Sequence, residues 1–523
     1  MDAKEANTCF MRFEDRAERI TSKQVAETFV AVGPILNILS SNNNQIMYGR
    51  RGTGKTHALR YFQSQKRDAG DIAIYIDAQN IGSNGSLYND PTLPISERAT
   101  RLLVDICSEL HSALTDEFTD PDKEWDLSEA IPLLSKFNDS YLETRVAGTV
   151  ETETSQKDSE SQKSGISAGL KLAKDPSLDL GGSQEASSAK ETAGRRKESG
   201  VEESWLDFSF FSRTLNELAS FVAPKRIWVL LDEWTTIPSD LQPYLADLLR
   251  RSMFSVKNIT VKIAAIEHRA VFKKDMENNS YIGMELSADI SVAINLDDFL
   301  VIERDESRAK EFFRHFVKNH VASVAPELGI KSSIDNVVQV AFTQDNVFLE
   351  FVRASEGVPR DAMHILSQAA QKAFESAIAM GHIRAAAHQF FQSEKQITIQ
   401  ANQESRLLLD WIRDVVIGER RTRNFLLPVG TNDPIIDRLF DRRALHILSR
   451  SRSAAHRPGE RFEVYKIDYG LYVDLINTDK APTEIDFDTS FEVPFDDARS
   501  YRRAILDLSE FYAKHPELKQ GGT

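Results

Sequence analysis

The clearest chemistry in the chain is carried by the eight residues Gly49-Arg50-Arg51-Gly52-Thr53-Gly54-Lys55-Thr56. They satisfy G-x-x-x-x-G-K-[ST] at every fixed position. Each fixed position has a physical reason. The glycines let the loop curl so that backbone N–H groups face the phosphate oxygens of a nucleotide. Lys55 reaches the β- and γ-phosphates, and the Thr56 hydroxyl is a ligand for Mg2+. The helix after the loop aims its positive N-terminus at the anion. Gly49 to Thr56, Arg50 and Arg51 included, are therefore the expected ATP-binding residues.

A second constellation lies downstream. The apolar run Ile227 to Leu231 ends in Asp232-Glu233. Alone, this is equally a strand ending at an acidic helix cap. Downstream of a complete phosphate loop it predicts a metal-holding Asp232 and a water-polarising Glu233. Two weaker positions lie further on. The strand Val261 to Ile266 ends in Glu267-His268-Arg269, where a polar residue could sense the γ-phosphate or simply close the strand. In Glu356-Gly357-Val358-Pro359-Arg360-Asp361, Pro359 suits a first helical turn. Arg360 would reach over the nucleotide, or lie solvated on a capping loop.

These side chains need a scaffold. Strands are expected at Gln45–Tyr48, Ile72–Asp77, Ile227–Leu231, Thr260–Ile266 and Ser291–Leu296, alternating with helices at Thr56–Gln65, Ser96–Phe118, Asp126–Tyr141, Phe208–Phe221 and Asp240–Ser252. Nearly continuous apolar strands alternating with helices indicate a parallel sheet covered on both faces. The fold class is α/β, with ATPase segments at 1–149 and 205–300. A helical region occupies 301–395, with helices expected at Glu306–Ala322, Ser333–Phe342, Asn346–Ala354, Arg360–Met380 and Ile383–Gln392. A further unit spans 404–480, and 481–523 is an acidic tail with a terminal helix from Ala498 to Ala513.

Residues 150–204 are rich in Ser, Glu, Lys, Gly and Thr, with little to bury. They are expected to be a disordered insertion. The alternation of Ile166, Ala168, Leu170 and Leu172, then Leu178 and Leu180, offers a β-hairpin as the alternative.

The bulk properties exclude several classes. With 523 residues the chain needs more than one core. No apolar run reaches the length of about 18 residues that a membrane span needs. Cys9 and Cys107 are the only cysteines, which fits a reducing cytoplasm and excludes a disulfide framework. The net charge of −15 argues against a chain coated in nucleic acid, but not against a local basic patch.

Taken together, Gly49 to Thr56, Asp232 with Glu233, the strand ending near Glu267, and Gly357-Val358-Pro359-Arg360 resemble the AAA+ P-loop ATPases of the origin-recognition type. The resemblance covers roughly Phe13 to Gln392. It implies a helical lid, a second-sensor role for Arg360, and a winged-helix DNA-binding domain after the lid. Glu267 stands where that family carries Asn, Ser or Thr. The pair Arg50-Arg51 also resembles the related signal-transducing STAND ATPases. For an arginine finger acting in trans, Arg250, Arg251 and Arg269 are equal candidates.

The region Glu404 to Asn477 fits a winged helix by pattern. Helices are expected at Ser405–Val416 and Pro434–Arg450, and a β-wing at Phe462–Ile467 and Leu471–Leu475. From Arg420 to Arg461 there are ten arginines against four acids, Asp433, Asp437, Asp441 and Glu460. Such a patch suits phosphate contacts, with Arg438, Arg442, Arg443 and Arg461 as the expected DNA-binding residues. The alternative is a protein-interaction module whose arginines pair with nearby acids. Two functions stay open: an ATP-controlled assembly switch on DNA, as a homo-oligomer or with a partner protein, or a STAND-like signalling or antiphage-defence ATPase. A metabolic kinase has no acceptor-substrate motif to support it.

Overall fold

Five apolar stretches pair side by side into one sheet: β1 (Gln45–Tyr48), β2 (Ile72–Asp77), β3 (Ile227–Asp232), β4 (Ile259–Ala265) and β5 (Ser291–Asn295). In this computed structural model their order is β5-β1-β4-β3-β2, and every neighbouring pair is parallel. Residues of β1, β3 and β4 are buried throughout, because helices cover both faces. The expectations for the strands of this sheet hold to within a residue. The structure describes residues 1–14, 19–31, 33–81, 88, 90, 92–141, 144–147, 150–151, 197–198, 201–204, 207–277, 279–454, 457–476, 478, 480–482 and 504–520.

The helices of this layer come after three short N-terminal ones: α1 (Ala3–Phe10), α2 (Ser22–Thr28) and the turn-length Ile35–Leu39. They are α3 (Lys55–Asp68), α4 (Ile95–Thr119), α5 (Leu127–Tyr141), α6 (Phe208–Phe221) and α7 (Gln242–Leu248). On α4, Leu102, Ile106, Leu110, Leu114 and Phe118 recur every four residues and all are buried, which is one helix face turned to the core. At the insertion, Thr144–Ala147 pairs antiparallel with Val201–Ser204, and Val150–Glu151 with Lys197–Glu198. The expected hairpin at Ile166 to Leu180 lies outside the described residues.

The helical region contains α8 (Glu306–Val324), α9 (Asp345–Ala354), α10 (Pro359–Ala373) and α11 (Met380–Phe390). Helix α10 stops before the expected Met380. Phe374 takes a left-handed φ of 47°, which ends the helix there. The N-terminal α1 packs on this region, not on the sheet. Asn7 Nδ2 donates to the carbonyls of Phe374 and Ser376 at 2.8 and 2.9 Å, and Cys9 and Phe10 are fully buried.

After α12 (Gln403–Ile412) the C-terminal unit folds as β6 (Asn424–Pro428), α13 (Pro434–Asp441), β7 (Leu445–Ala454) and β8 (Arg457–Ile467). The three strands form an antiparallel sheet of order β6-β8-β7. Two expectations are corrected. The helix from Pro434 ends at Asp441, not Arg450. The N–H groups of Arg443 and Ala444 fold back onto the carbonyls of Phe440 and Leu439, and Arg443 takes φ 59°. Beyond this turn, Ser449 to Ser453 alternate Ser and Arg with period two, and the segment becomes an edge strand. The antiparallel ribbon of this unit is thus β7 with β8. Leu471–Leu475 is not a strand but part of a short helical segment beginning at Tyr469, capped by the Asp468 side chain on the Gly470 N–H. The tail adds Leu506, whose N–H donates to Leu426 O at 2.9 Å. Its described helix is Leu508–Lys514.

One apolar cluster covers each face of the sheet, and a third runs without interruption from α1 and α8 to the C-terminal unit. Among the described residues, no helix is long and apolar enough to cross a membrane.

Candidate active site

All five strands run the same way, so their carboxyl ends form one edge, where ligands of open α/β sheets bind. Only β4 separates the strand carrying the loop from the strand carrying the acids. In the loop, Gly52 and Gly54 have φ of 85° and 94°, values that side chains strongly disfavour. Helix α3 begins at Lys55 with Gly54 as its cap and no side chain bonded to its first N–H groups. Those donors face the cavity beside Thr56, which is what an anion needs. Lys55 is buried. Its ammonium donates to Gly49 O at 2.8 Å and Arg50 O at 3.1 Å. Burial lowers its pKa, and the charges of Glu233, Asp232 and Asp297 oppose that shift.

Asp232 closes β3 and is fully buried. Its carboxylate accepts from the Tyr75 hydroxyl and from the Glu233 N–H, both at 2.8 Å. Tyr75 sits on the adjacent β2, whose Asp77 pairs in register with Asp232. Burial and the Asp232 charge push the Tyr75 hydroxyl well above its usual range, so it remains a donor. Glu233 has a left-handed φ of 51°, a strained conformation for a non-glycine residue that costs roughly 1 kcal/mol or more. Burial raises its carboxyl pKa, with Lys55 opposing.

Glu233, Lys55, Thr56, Arg51 and Arg360 line one cavity of about 470 Å³, within the range of about 300–1,000 Å³ for small-molecule sites. Arg360 arrives on the first turn of α10, and its N–H donates to Gly52 O at 3.2 Å. A Cβ on Gly52 would lie 2.8 Å from that of Arg360, so only glycine permits this approach. The same cavity is lined by Ile20, His57, Phe316, His320 and Met363, apolar and ring side chains of the kind that pack on a base. Burial lowers the pKa of His320 to about 4, which keeps its ring neutral. The donor set also fits a magnesium ion. The Thr56 hydroxyl in the cavity and the Asp232 carboxylate buried behind it would be its protein ligands, the rest coming from water and phosphate.

Other expected residues point elsewhere. Arg50 leaves the cavity and is buried against the C-terminal unit. Its Nε is 2.6 Å from Asp297 Oδ1, Nη1 donates to Leu445 O at 2.9 Å, and Nη2 lies 3.2 Å from His446 Nδ1. His446 in turn meets Asp468 at 3.0 Å, and Lys395 bridges Asp468 and Asp361 at 2.6 and 2.8 Å. Glu267 accepts from Asn295 and pairs with Arg450, both at 2.9 Å, and His268 faces Asp437 at 3.5 Å. Both expected sensors at that strand end therefore face the C-terminal unit.

Of the arginines expected on DNA, Arg438 pairs with Glu404, and Arg443 contacts Asp361 and Arg51 O, each at 3.1 Å. Arg442 and Arg461 are exposed. Among the finger candidates, Arg250 and Arg251 both pair with Asp247, and Arg269 pairs with Asp441. Tyr75, Asp77 and Asp297 escaped the sequence reading. An acid ending the apolar run of β2 was the one available signal, for Asp77.

The parallel sheet, the glycine loop at the end of β1 and the acids at the end of β3 define a P-loop α/β fold. Over residues 13–79, which hold the loop, the chain matches the family model described as ORC-CDC6-like, and this bears out the resemblance to origin-recognition-type AAA+ ATPases. Among solved structures, Cdc6p from Pyrobaculum aerophilum overlaps at 11% identity and a TM-score of 0.33, covering 90% of this chain and 96% of that one. The ORC1 protein of Aeropyrum pernix, solved in complex with DNA, overlaps at 12% identity and a TM-score of 0.27, covering 90% and 94%. A comparison with curated protein sequences finds no match.

Proposed function

We propose that this chain binds and hydrolyses ATP with Mg2+, and that its nucleotide state controls assembly on DNA. The observation that carries the first part is the convergence of Lys55, Thr56, Glu233 and Arg360 on one cavity, with Asp232 behind them. Bound Mg2+ supplies charge neutralisation at the phosphates. The rest is done by side chains. Loop N–H groups and Lys55 hold the phosphates, and Thr56 and Asp232 hold the ion. Tyr75 fixes the Asp232 carboxylate. Glu233 orients the attacking water and accepts its proton, a task its raised pKa suits. Arg360 reaches the phosphates from α10 and ties the position of the helical lid to their number.

The DNA part rests on the C-terminal unit. Helix α12, strand β6, helix α13 and the β7–β8 ribbon are read as a winged helix, with Arg442 and Arg461 exposed for phosphate contact. One observation favours the second reading, a STAND-like signalling or defence ATPase. The C-terminal unit grips the phosphate loop itself through Arg50, and Arg438 and Arg443 have partners within the chain. In either reading the active form is a homo-oligomer or a complex with a partner protein.

Lys55→Ala tests the common core. Isothermal titration with a non-hydrolysable ATP analogue should give binding for the wild-type chain and none for the variant. Equal affinities would remove the nucleotide assignment.

A further inference from the structure

Two consecutive carbonyls of the phosphate loop are held from outside the sheet. Gly52 O accepts from the Arg360 N–H of α10 at 3.2 Å. Arg51 O accepts from Arg443 Nη1 of the C-terminal unit at 3.1 Å. The other edge of the same guanidinium holds Asp361 at 3.1 Å, and Asp361 is the residue after Arg360 on α10. Asp361 is buried. Burial would raise its pKa, and the charges of Arg443 and Lys395 outweigh that and keep it ionised.

A peptide plane is rigid, with its C=O and N–H pointing opposite ways. Pinning Arg51 O outward therefore aims the Gly52 N–H inward, and Gly52 lines the cavity. Successive inward N–H groups are what makes such a loop an anion cradle. Arg443 sets one of them from a different part of the chain, without itself lining the cavity.

The backbone marks the same residue. Arg443 occupies the left-handed position that closes α13, at φ 59°, where glycine is favoured. Its N–H donates to Phe440 O at 2.9 Å. An arginine there carries a conformational cost that glycine avoids. That cost is offset by what the side chain does, since it is 16% exposed and bonded at both edges.

We propose that Arg443 is a positioning residue of the nucleotide site. It completes the phosphate loop from the C-terminal unit, so nucleotide affinity depends on that unit being docked. This inference rests on the nucleotide reading above and goes beyond it by assigning part of the site to a region outside the ATPase layer.

The left-handed φ supplies the test. In the full chain, compare Arg443→Gly, Arg443→Ala and Arg443→Lys for affinity toward a fluorescent N-methylanthraniloyl ATP analogue, and for KM and kcat. Gly relieves the backbone and Ala does not, while both delete the guanidinium. Positioning predicts that both weaken binding by roughly tenfold, the scale of a charge-assisted hydrogen bond. KM should rise by a similar factor with kcat within about threefold, because ground-state and transition-state binding are lost together. Arg443→Lys should recover part of the affinity. A purely structural role predicts that Arg443→Gly binds like wild type while Arg443→Ala does not, and that result overturns the proposal. A wild-type chain that fails to bind the analogue overturns the nucleotide reading, and this inference falls with it.

Discussion

The guanidinium of Arg50 lies over the ring of Phe440, 4.3 Å from its centroid, so a residue of the phosphate loop is anchored in the C-terminal unit. Its charge is matched by Asp297, and both side chains are about 95% buried. Burial alone would raise the Asp297 pKa, yet Arg50 holds it below the usual carboxylate range. Arg50→Ala should therefore leave an uncompensated buried carboxylate and destabilise the chain by about 3–5 kcal/mol. Adding Asp297→Asn to that variant should recover part of the loss. Chemical denaturation of the wild type, single and double variants measures both. Equal stability of all three would mean that this pair holds nothing together.

Glu233→Gln should bind ATP but hydrolyse it at least about a hundredfold more slowly, as expected when a general base is lost. Single-turnover hydrolysis beside a binding titration separates the two effects. Turnover near the wild-type rate would reduce Glu233 to a structural role.

His446 gives the docked arrangement a pH dependence. Burial lowers its pKa to about 4, with the hydrogen bond to Asp468 opposing and the nearby Arg50 charge assisting. A folded pKa below the unfolded value of about 6.5 means that the unfolded chain takes up the proton first as pH falls. Stability from this group is complete above pH ~6.5 and is lost as pH drops toward 4. The whole effect is on the order of 3 kcal/mol, at 1.36 kcal/mol per unit. His446→Gln should flatten that part of the profile, measured as denaturation midpoints from pH 7.5 to 4.5. A variant profile parallel to the wild type would assign the slope to other groups.

On duplex DNA, Arg461→Ala should weaken binding and make the log–log salt slope shallower by about one unit. ATP hydrolysis without DNA should not change, since Arg461 lies on β8 away from the cavity. Arg438→Ala should leave the slope nearly intact, because that side chain is already paired with Glu404. Fluorescence anisotropy across a salt series decides. A wild-type chain that fails to bind duplex DNA at low salt, with or without ATP, would move the signalling reading ahead.

The sheet and the heart of the site were legible because they are local. Gly49 to Thr56 is contiguous, and the runs ending at Asp77 and Asp232 declare themselves by composition. The Tyr75–Asp232 bond was not legible, because it requires knowing that β2 lies beside β3 and in which register. The end of α13 was missed for a different reason. A helix normally stops at glycine, and here Arg442-Arg443 stops it, held by contacts to Asp361 and Arg51 that no local pattern encodes. Arg50 was read as a ligand of phosphate because its neighbours are. Only the folded chain brings Phe440 and Leu445 to it, nearly four hundred residues later.

Helix α1 packs in the helical region, while α2 lies between that region and the sheet layer: Gln24 Nε2 donates to Glu327 Oε1 at 3.2 Å, and the Val25 carbonyl lies 3.0 Å from His57 Nε2 on α3. The backbone thus passes between these two bodies twice, once between α1 and β1 and again between Phe299 and Glu306. One tether would let the lid swivel in any direction. Two tethers at separate points, with the Arg50 and Arg443 contacts between the phosphate loop and the C-terminal unit that shares the lid's apolar core, take that freedom away while the unit is docked.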